Sequence, residues 1–444
     1  MSTTAGETAS FSTSQRWRRL LPIVFVTYSF AYLDRGNYSI GAAGGLQHDL
    51  NISSFQAGLL GGLFFLGYFI FQVPAAAFAE KRSAKRLLFW SLILWGLFAA
   101  AQGVIPNYPL LLVDRFLLGV VEATVIPALL VFLMHWFSDA ERGRADSFMI
   151  LGHPVTLLWM SALSGYIIQA TNWRWMFIIE GLPAIVWAFI FRYLVDDRPS
   201  DADWLHDAER EELRRRLDDE TRGEPPAKQW SALKSPRVIL LAIQYGLWSI
   251  GVYGVVFWLP TVLKSMSGAG IGATGVLTAI PYALATVLMI IASWVSDRTH
   301  QRRWLVLGCL LAGAVVFYFS FLIGIGNFLP AFILLIVATG LLYAPYGPYF
   351  ALIPEVVPEN IAGTGMGAVN AIGGLGGFIG PVVVGWLVGG TGSTLAFLFL
   401  GACLAAAGLL MLFVHPRRRA PGANQDSGEN QRAEGGASPR DARG

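Results

Sequence analysis

Ionisable side chains are scarce in the long apolar stretches of this sequence, and the few present are clustered. The stretch from Leu20 to Gly44 carries Asp34 and Arg35, that from Pro109 to Met134 carries Asp114, Arg115 and Glu122, and that from Trp175 to Leu194 carries Glu180. The apolar stretches of the second half carry no charge in their interiors. A charge at the centre of a membrane helix costs roughly 2.5–3.5 kcal/mol or more, so each of these residues is a candidate for chemistry. A guanidinium grips a carboxylate through two parallel hydrogen bonds and stays charged at any pH. Burial disfavours the charge of a carboxyl group and a neighbouring guanidinium favours it; that competition lets such a group load and release a proton near neutrality. Two carboxylates and two guanidiniums therefore suit capture of an anion coupled to movement of a proton. The plainer alternative is that Asp34 with Arg115, or Arg35 with Glu122, are ion pairs that clamp helices together.

The elements that must position these groups follow from composition. The chain has 444 residues, of which 55% are hydrophobic and 14% charged, with a mean hydropathy of +0.54. A soluble domain carries about 25% charged residues, so this chain is expected to lie in a lipid bilayer. A net charge of +3 without a concentrated basic face excludes nucleic acid as a partner. Cys309 and Cys403 sit inside apolar runs without metal-ligand spacing and read as buried thiols. No metal site and no cofactor is expected.

A bilayer core of about 30 Å needs roughly 20 apolar residues per helix. Twelve runs qualify: Leu20 to Gly44, Phe55 to Ala79, Leu87 to Val104, Pro109 to Met134, Ser147 to Gln169 and Trp175 to Leu194. The second set is Val238 to Leu263, Gly272 to Val295, Trp304 to Ile325, Leu329 to Ile353, Ile361 to Val388 and Leu395 to Val414. The expected organisation is a tail over 1–19, a six-helix bundle over 20–195, a charged loop over 196–237, a second six-helix bundle over 238–414 and a polar tail over 415–444. Arg and Lys collect on one side: Arg16, Arg18, Arg19, Lys81, Arg82, Lys85, Arg86, Arg142, Arg144, Arg298, Arg302, Arg303 and Arg417 to Arg419. The other side has Arg174 and Lys264. This bias predicts that both termini are cytoplasmic. Within the loop, Asp203 to Leu217 predicts either an amphipathic helix on the membrane surface or a solvated tether.

Depth decides which charges can meet. At about 1.5 Å per residue, Asp34 lies roughly 15 Å below the outer end of its helix, Arg115 about 9 Å and Glu122 about 20 Å below theirs. Arg115 and Glu122, seven residues apart, share a helix face. Asp34, Arg35, Arg115 and Glu122 are thus expected around one cavity. Asp114 reads as structural, and Glu180 as a packing partner of Arg174.

At these residues the sequence resembles the anion:cation symporter family of the major facilitator superfamily. The resemblance is carried by Tyr32-Leu33-Asp34-Arg35-Gly36-Asn37, by Arg115 to Gly119 with Glu122-Ala123, and by Trp173 to Phe177 with Glu180-Gly181. Asp196-Asp197-Arg198-Pro199 with Trp204-Leu205, and Asn370 with Gly376 to Pro381, continue it. The resemblance implies an all-α membrane protein, twelve transmembrane helices in two pseudo-symmetric six-helix bundles that work by alternating access. It implies a secondary active transporter rather than an enzyme, a monomer in a bacterial inner membrane, whose partners are a small organic anion and a proton. Sugar acids such as aldonates or aldarates are the expected cargo. Carried over by position, Tyr32 and Arg35 would contact substrate, Arg115 would serve substrate or pairing, Tyr68 and Asn370 would add polar contacts, and Asp34 and Glu122 would exchange the proton.

Two departures stand out. Ala79-Glu80-Lys81-Arg82 lacks the aspartate that the superfamily carries after its second helix, whereas Asp297-Arg298 keeps the gating counterpart in the second half. His153-Pro154 stands where sugar-acid members often have an amide, so His153 is expected either to contact substrate or to pack beside a proline kink. The seventh and tenth stretches are rich in aromatics: Tyr245, Trp248, Tyr253 and Trp258, then Tyr343, Tyr346 and Tyr349. Their hydroxyls suit a polyol and their ring faces an aromatic carboxylate such as a hydroxyphenylacetate or phthalate. A transporter-like anion sensor, and a uniporter or exchanger of the same fold, are further alternatives.

Overall fold

The computed structural model describes residues 5–81, 83–205, 207–222, 234–324, 327–357, 359–390 and 393–415. These are almost entirely helical. The first half comprises α1 (Ala5–Gly41), α2 (Ser54–Lys81), α3 (Ala84–Ala101), α4 (Tyr108–Glu122), α5 (Val125–Trp136), α6 (Asp139–Ile150), α7 (Gly152–Ala170) and α8 (Trp173–Leu194). After the loop helix α9 (Asp207–Arg222) come α10 (Pro236–Ser267), α11 (Ile271–Thr299), α12 (Arg302–Gly324), α13 (Phe328–Tyr343), α14 (Tyr346–Val356), α15 (Glu359–Gly390) and α16 (Ser393–Leu410).

Among the described residues, eleven segments are long and apolar enough to cross a membrane. They coincide with the second to twelfth predicted runs. The first run lies in α1, where Asp34-Arg35 and several hydroxyl residues dilute the apolar character. Helix ends follow local chemistry. Ser83, Asn107 and Asn172 accept hydrogen bonds from backbone N–H groups of the helices they precede, and Gly268, at φ +64°, closes α10 in the left-handed conformation. Trp90, Val186, Phe189, Trp294 and Trp386 are exposed on outward faces, as lipid contact requires.

Three spans are interrupted, each with a proline three or four residues past the break. α4 gives way to α5 at Ala123-Thr124, α6 to α7 at Leu151, and α13 to α14 at Ala344-Pro345. Pro127, Pro154 and Pro348 lack the N–H that would bond the carbonyl four residues earlier, namely those of Ala123, Ile150 and Ala344. A fourth irregularity ends α1: a π-helical turn over Ala42–Leu46 with Gly45 at φ +128°.

α2 packs along α15 and α7 along α11, joining the two halves, with α1 against α10 as a third contact. A Cβ at Gly58 would strike the Pro381 carbonyl, and Gly165 and Gly275 face each other across α7 and α11. One continuous core runs through the second half and takes in Tyr38, Leu46, Leu60, Ile168 and Trp173 of the first. A separate core in the first half holds Leu20, Phe132, Trp136 and Phe137 toward the basic end. The halves are therefore fused through shared apolar packing at the end where α1 terminates.

The chain just ahead of the loop helix and one residue of α9 are held against the first half, while most of the rest of the described α9 faces outward. Trp204 stacks on Trp136 with centroids 5.3 Å apart and planes at 13°, Arg19 lies over Trp204, and Leu205 and Leu213 are buried in the first-half core.

Candidate functional site

Arg35 and Glu122 meet at the interruption between α4 and α5. Arg35 Nε donates to Glu122 Oε1 at 2.5 Å, and Nη1 donates to the Tyr32 hydroxyl at 3.3 Å. The guanidinium lies 4.7 Å from the ring centroids of both Tyr32 and Tyr68, and 5.7 Å from that of Phe64. Cation–π contacts of this kind contribute about 0.5–1 kcal/mol each, more when desolvated. Glu122 is fully buried. Arg35 Nη2 and Glu122 Oε2 are both buried and lack a hydrogen-bond partner. The pair is half-satisfied: one donor and one acceptor remain open beside a bond already made.

Adjacent residues on a helix point about 100° apart, which separates Asp34 from Arg35. Asp34 turns into the first half, where Trp95 Nε1 and Asn37 Nδ2 donate to it, the latter at 3.1 Å. Arg115 is also buried there. Its guanidinium donates at 3.5 Å to the Leu60 carbonyl and to Gln102 Oε1, and lies 4.4 Å over the Tyr38 ring. Phe64 stands between the guanidiniums, 5.7 Å from Arg35 and 5.3 Å from Arg115. The four charges expected around one cavity thus form two groups: Arg35 with Glu122 facing the other half, and Asp34 with Arg115 enclosed in the first.

Glu180 does not pair with Arg174. Arg174 donates to the carbonyls of Gly103 and Ile105, at 3.4 and 2.8 Å, and lies over Trp173. Glu180 instead accepts from Ser164 Oγ at 2.6 Å and from Asn37 Nδ2 at 3.0 Å. The six-residue spacing to Arg174 suggested a pair, but the arginine reaches the unpaired carbonyls ending α3 first. Asp114 is buried with Oδ2 unpartnered.

The second half presents an aromatic wall to Arg35. His153 Nε2 is 3.2 Å from the Tyr343 hydroxyl, and its ring centroid is 3.8 Å from that of Tyr32 and 5.8 Å from that of Tyr346. His153 therefore bridges the halves, in contact with residues from both. Tyr253 packs on Phe65 at 4.4 Å and Tyr346 on Trp248 at 4.5 Å. The polar ends of Trp248 and Tyr349 are spent on the carbonyls of Leu342 and Leu241. Tyr68 is buried and accepts from Gln72 Nε2 at 3.4 Å. Asn370 is half-buried on α15, one turn from Gly374, which lies against the Tyr68 ring.

At the basic end, Asp297 lies 3.6 Å from Arg302, which also pairs with Glu355 at 2.9 Å, while Arg298 stacks over Trp294 at 4.0 Å. The side chains of Glu80, Lys81 and Arg82, in the matching loop of the first half, lie outside the described residues.

The comparisons with known proteins agree on the architecture. The sequence profile of the Major Facilitator Superfamily matches residues 24–381 and 268–440. A putative tartrate transporter of Agrobacterium vitis is 31% identical over 403 residues, covering 89% of this chain and 88% of that protein. A quinolone resistance transporter of Acinetobacter baumannii is 28% identical over 413 residues, covering 89% and 93%. The inward-facing, unoccupied crystal structure of a bacterial homologue of the human lysosomal transporter Spinster superposes with a TM-score of 0.69 at 16% identity, covering 90% of this chain and 95% of that one. This chain belongs to the Major Facilitator Superfamily and is a membrane transporter of that fold rather than an enzyme.

Proposed function

We propose that this protein imports a small organic acid in symport with protons, with Arg35 as the carboxylate anchor and Glu122 as the group that exchanges a proton with it. The carrying observation is the buried Arg35–Glu122 contact in which Arg35 Nη2 and Glu122 Oε2 are both left open. A substrate carboxylate competes with Glu122 for the same guanidinium, since a fork accepts one carboxylate in full bidentate geometry. Displacing an ionised Glu122 would strand a buried charge, which costs several kcal/mol. Protonation of Glu122 removes that cost, so substrate and proton enter the site together.

Tyr32, Tyr68 and His153 line the same region, with Asn370 and Tyr346 offering neutral hydrogen-bond partners from the second half. A sugar acid matches this set: one carboxylate for Arg35 and hydroxyls for tyrosine, histidine and amide. The relative named for tartrate supports a hydroxy acid. The density of ring faces around His153 supports a second reading, an aromatic carboxylate. Asp34 is assigned a second protonation role and Arg115 an electrostatic one behind Phe64. Asp297 and Arg298 are assigned to gating at the cytoplasmic end. Both termini are placed in the cytoplasm, with 20–195 and 238–414 as bundles that rock about the site in a monomer of the bacterial inner membrane.

The test is uptake by proteoliposomes under an imposed pH gradient, against a panel of tartrate, aldonates, aldarates and aromatic carboxylates, with internal pH recorded. Accumulation of a panel acid with matching acidification inside supports symport. Equal uptake with and without the gradient refutes it.

A further inference from the structure

A second buried carboxyl lies beside Asp34. Glu180 on α8 is 4% exposed, and its two oxygens accept from Ser164 Oγ and Asn37 Nδ2. The same Asn37 nitrogen donates to Asp34 Oδ1, and the other Asp34 oxygen accepts from Trp95 Nε1. One amide therefore bridges two carboxyl groups, and every donor around them is neutral. Among the described residues no cation reaches ion-pairing distance of either one. Arg115 on α4 is the cation whose charge bears on Asp34, and its hydrogen bonds go to Leu60 and Gln102; the Asp114 and Glu122 carboxyls of the same helix also feel the Asp34 charge. Asp34 is the ionisable group whose charge bears on Glu180. α3 carries Lys85 and Arg86 only at its far end, α7 turns His153 toward Tyr32 and Tyr343, and on α8 itself Arg174 is bound to carbonyls.

Two adjacent buried negative charges without counter-ions cost several kcal/mol each, and like-charged carboxyls sharing a site hold on to one proton. Ser164 provides the seat for it. Its Oγ lies 2.6 Å from Glu180 Oε1 and 3.1 Å from Met160 Sδ. A hydroxyl both accepts and donates, so Ser164 can accept from a protonated Glu180 and donate to Met160, while the two N–H bonds of Asn37 hold the other Glu180 oxygen and an ionised Asp34. That arrangement has one protonated and one ionised carboxyl.

We propose that Asp34 and Glu180, tied together by the Asn37 amide, form one proton-holding pair that keeps a single proton seated on Glu180 against Ser164, which makes Glu180 a third proton-carrying residue of the transport cycle. The role in the cycle rests on the symport reading given above; the pair itself does not.

The experiment is infrared difference spectroscopy, neutral against alkaline buffer, on the purified protein in liposomes with no substrate present. The expected result is a carboxylic-acid C=O band, distinct from any that Glu122 or Asp114 contributes, that is removed or displaced both by Asp34→Asn and by Glu180→Gln and left in place by Glu122→Gln. A band altered by only one of the two substitutions, by neither, or absent from the wild type overturns the pair. Should Glu180→Gln fail to fold, Ser164→Ala removes a single hydroxyl and must displace the same band; an unmoved band overturns the proposal equally. Because no substrate is used, an intact shared band in a protein that accumulates no acid on a pH gradient would count against symport alone.

Discussion

Replacing Arg35 with lysine keeps a positive charge at the site and removes the planar fork. In the structure the guanidinium makes a bond to Glu122 at 2.5 Å, another to Tyr32 at 3.3 Å, and lies 4.7 Å from two tyrosine rings. A hydrogen bond to a charged group contributes about 1.5–3 kcal/mol. Losing one of the two bonds to a substrate carboxylate should therefore weaken affinity by roughly ten- to over a hundredfold, at 1.4 kcal/mol per tenfold. Lysine is a point charge that still neutralises Glu122, so thermal unfolding in detergent should move little. Transport is the property that should fail. The assay is substrate counterflow in proteoliposomes with a titration of external acid, run beside a melting curve of the same preparation. Near-normal half-saturation in Arg35→Lys would refute the anchor role and return the Arg35–Glu122 contact to a helix clamp.

Three further outcomes are expected. Glu122→Gln mimics the protonated acid and should retain counterflow while losing gradient-driven accumulation, measured as the steady-state inside-to-outside ratio; full accumulation would remove Glu122 from the coupling step. Asn370→Ala and Tyr346→Phe should each alter the competition profile of the acid panel, with affinities changed roughly three- to tenfold for a neutral hydrogen bond of about 0.5–1.5 kcal/mol, and an unchanged proton-to-substrate ratio. A changed ratio with an unchanged profile would show that the two halves have the opposite tasks. Trp95→Phe strips a donor from the buried Asp34 and should cost about 1–3 kcal/mol, read as a lowered melting temperature; an unchanged melt would mean that another donor replaces the indole.

Apolar run length made the spans legible, and the helices match the predicted runs closely because a bilayer-spanning helix must be apolar over nearly its whole length. The scarcity of charge likewise pointed to Arg35 and Glu122, and depth alone brought them together. Rotation about each helix axis was not legible. Asp34 and Arg35 are neighbours in sequence yet serve different groups, and only knowing which face of α1 meets α3 and α8 separates them. The same gap hid the bridge from Asn37 to Glu180, residues 143 positions apart, behind the nearer Arg174. Proline positions did carry a usable signal. Pro127, Pro154 and Pro348 each stand three or four residues past an interruption, beside Glu122, His153 and the Tyr343–Tyr346 pair.

Those interruptions have a mechanical meaning. A continuous helix is a stiff lever, and tilting one end carries everything along it through an arc. A helix jointed partway along lets its two arms tilt separately, and the joint becomes the fulcrum, where displacement is least. Glu122 ends one arm at the first joint, His153 stands just past the second, and Tyr343 and Tyr346 flank the third. On the roles proposed above, anchoring chemistry placed at fulcrums would let the ends of these spans swing through large distances while the atoms assigned to cargo and proton keep their geometry.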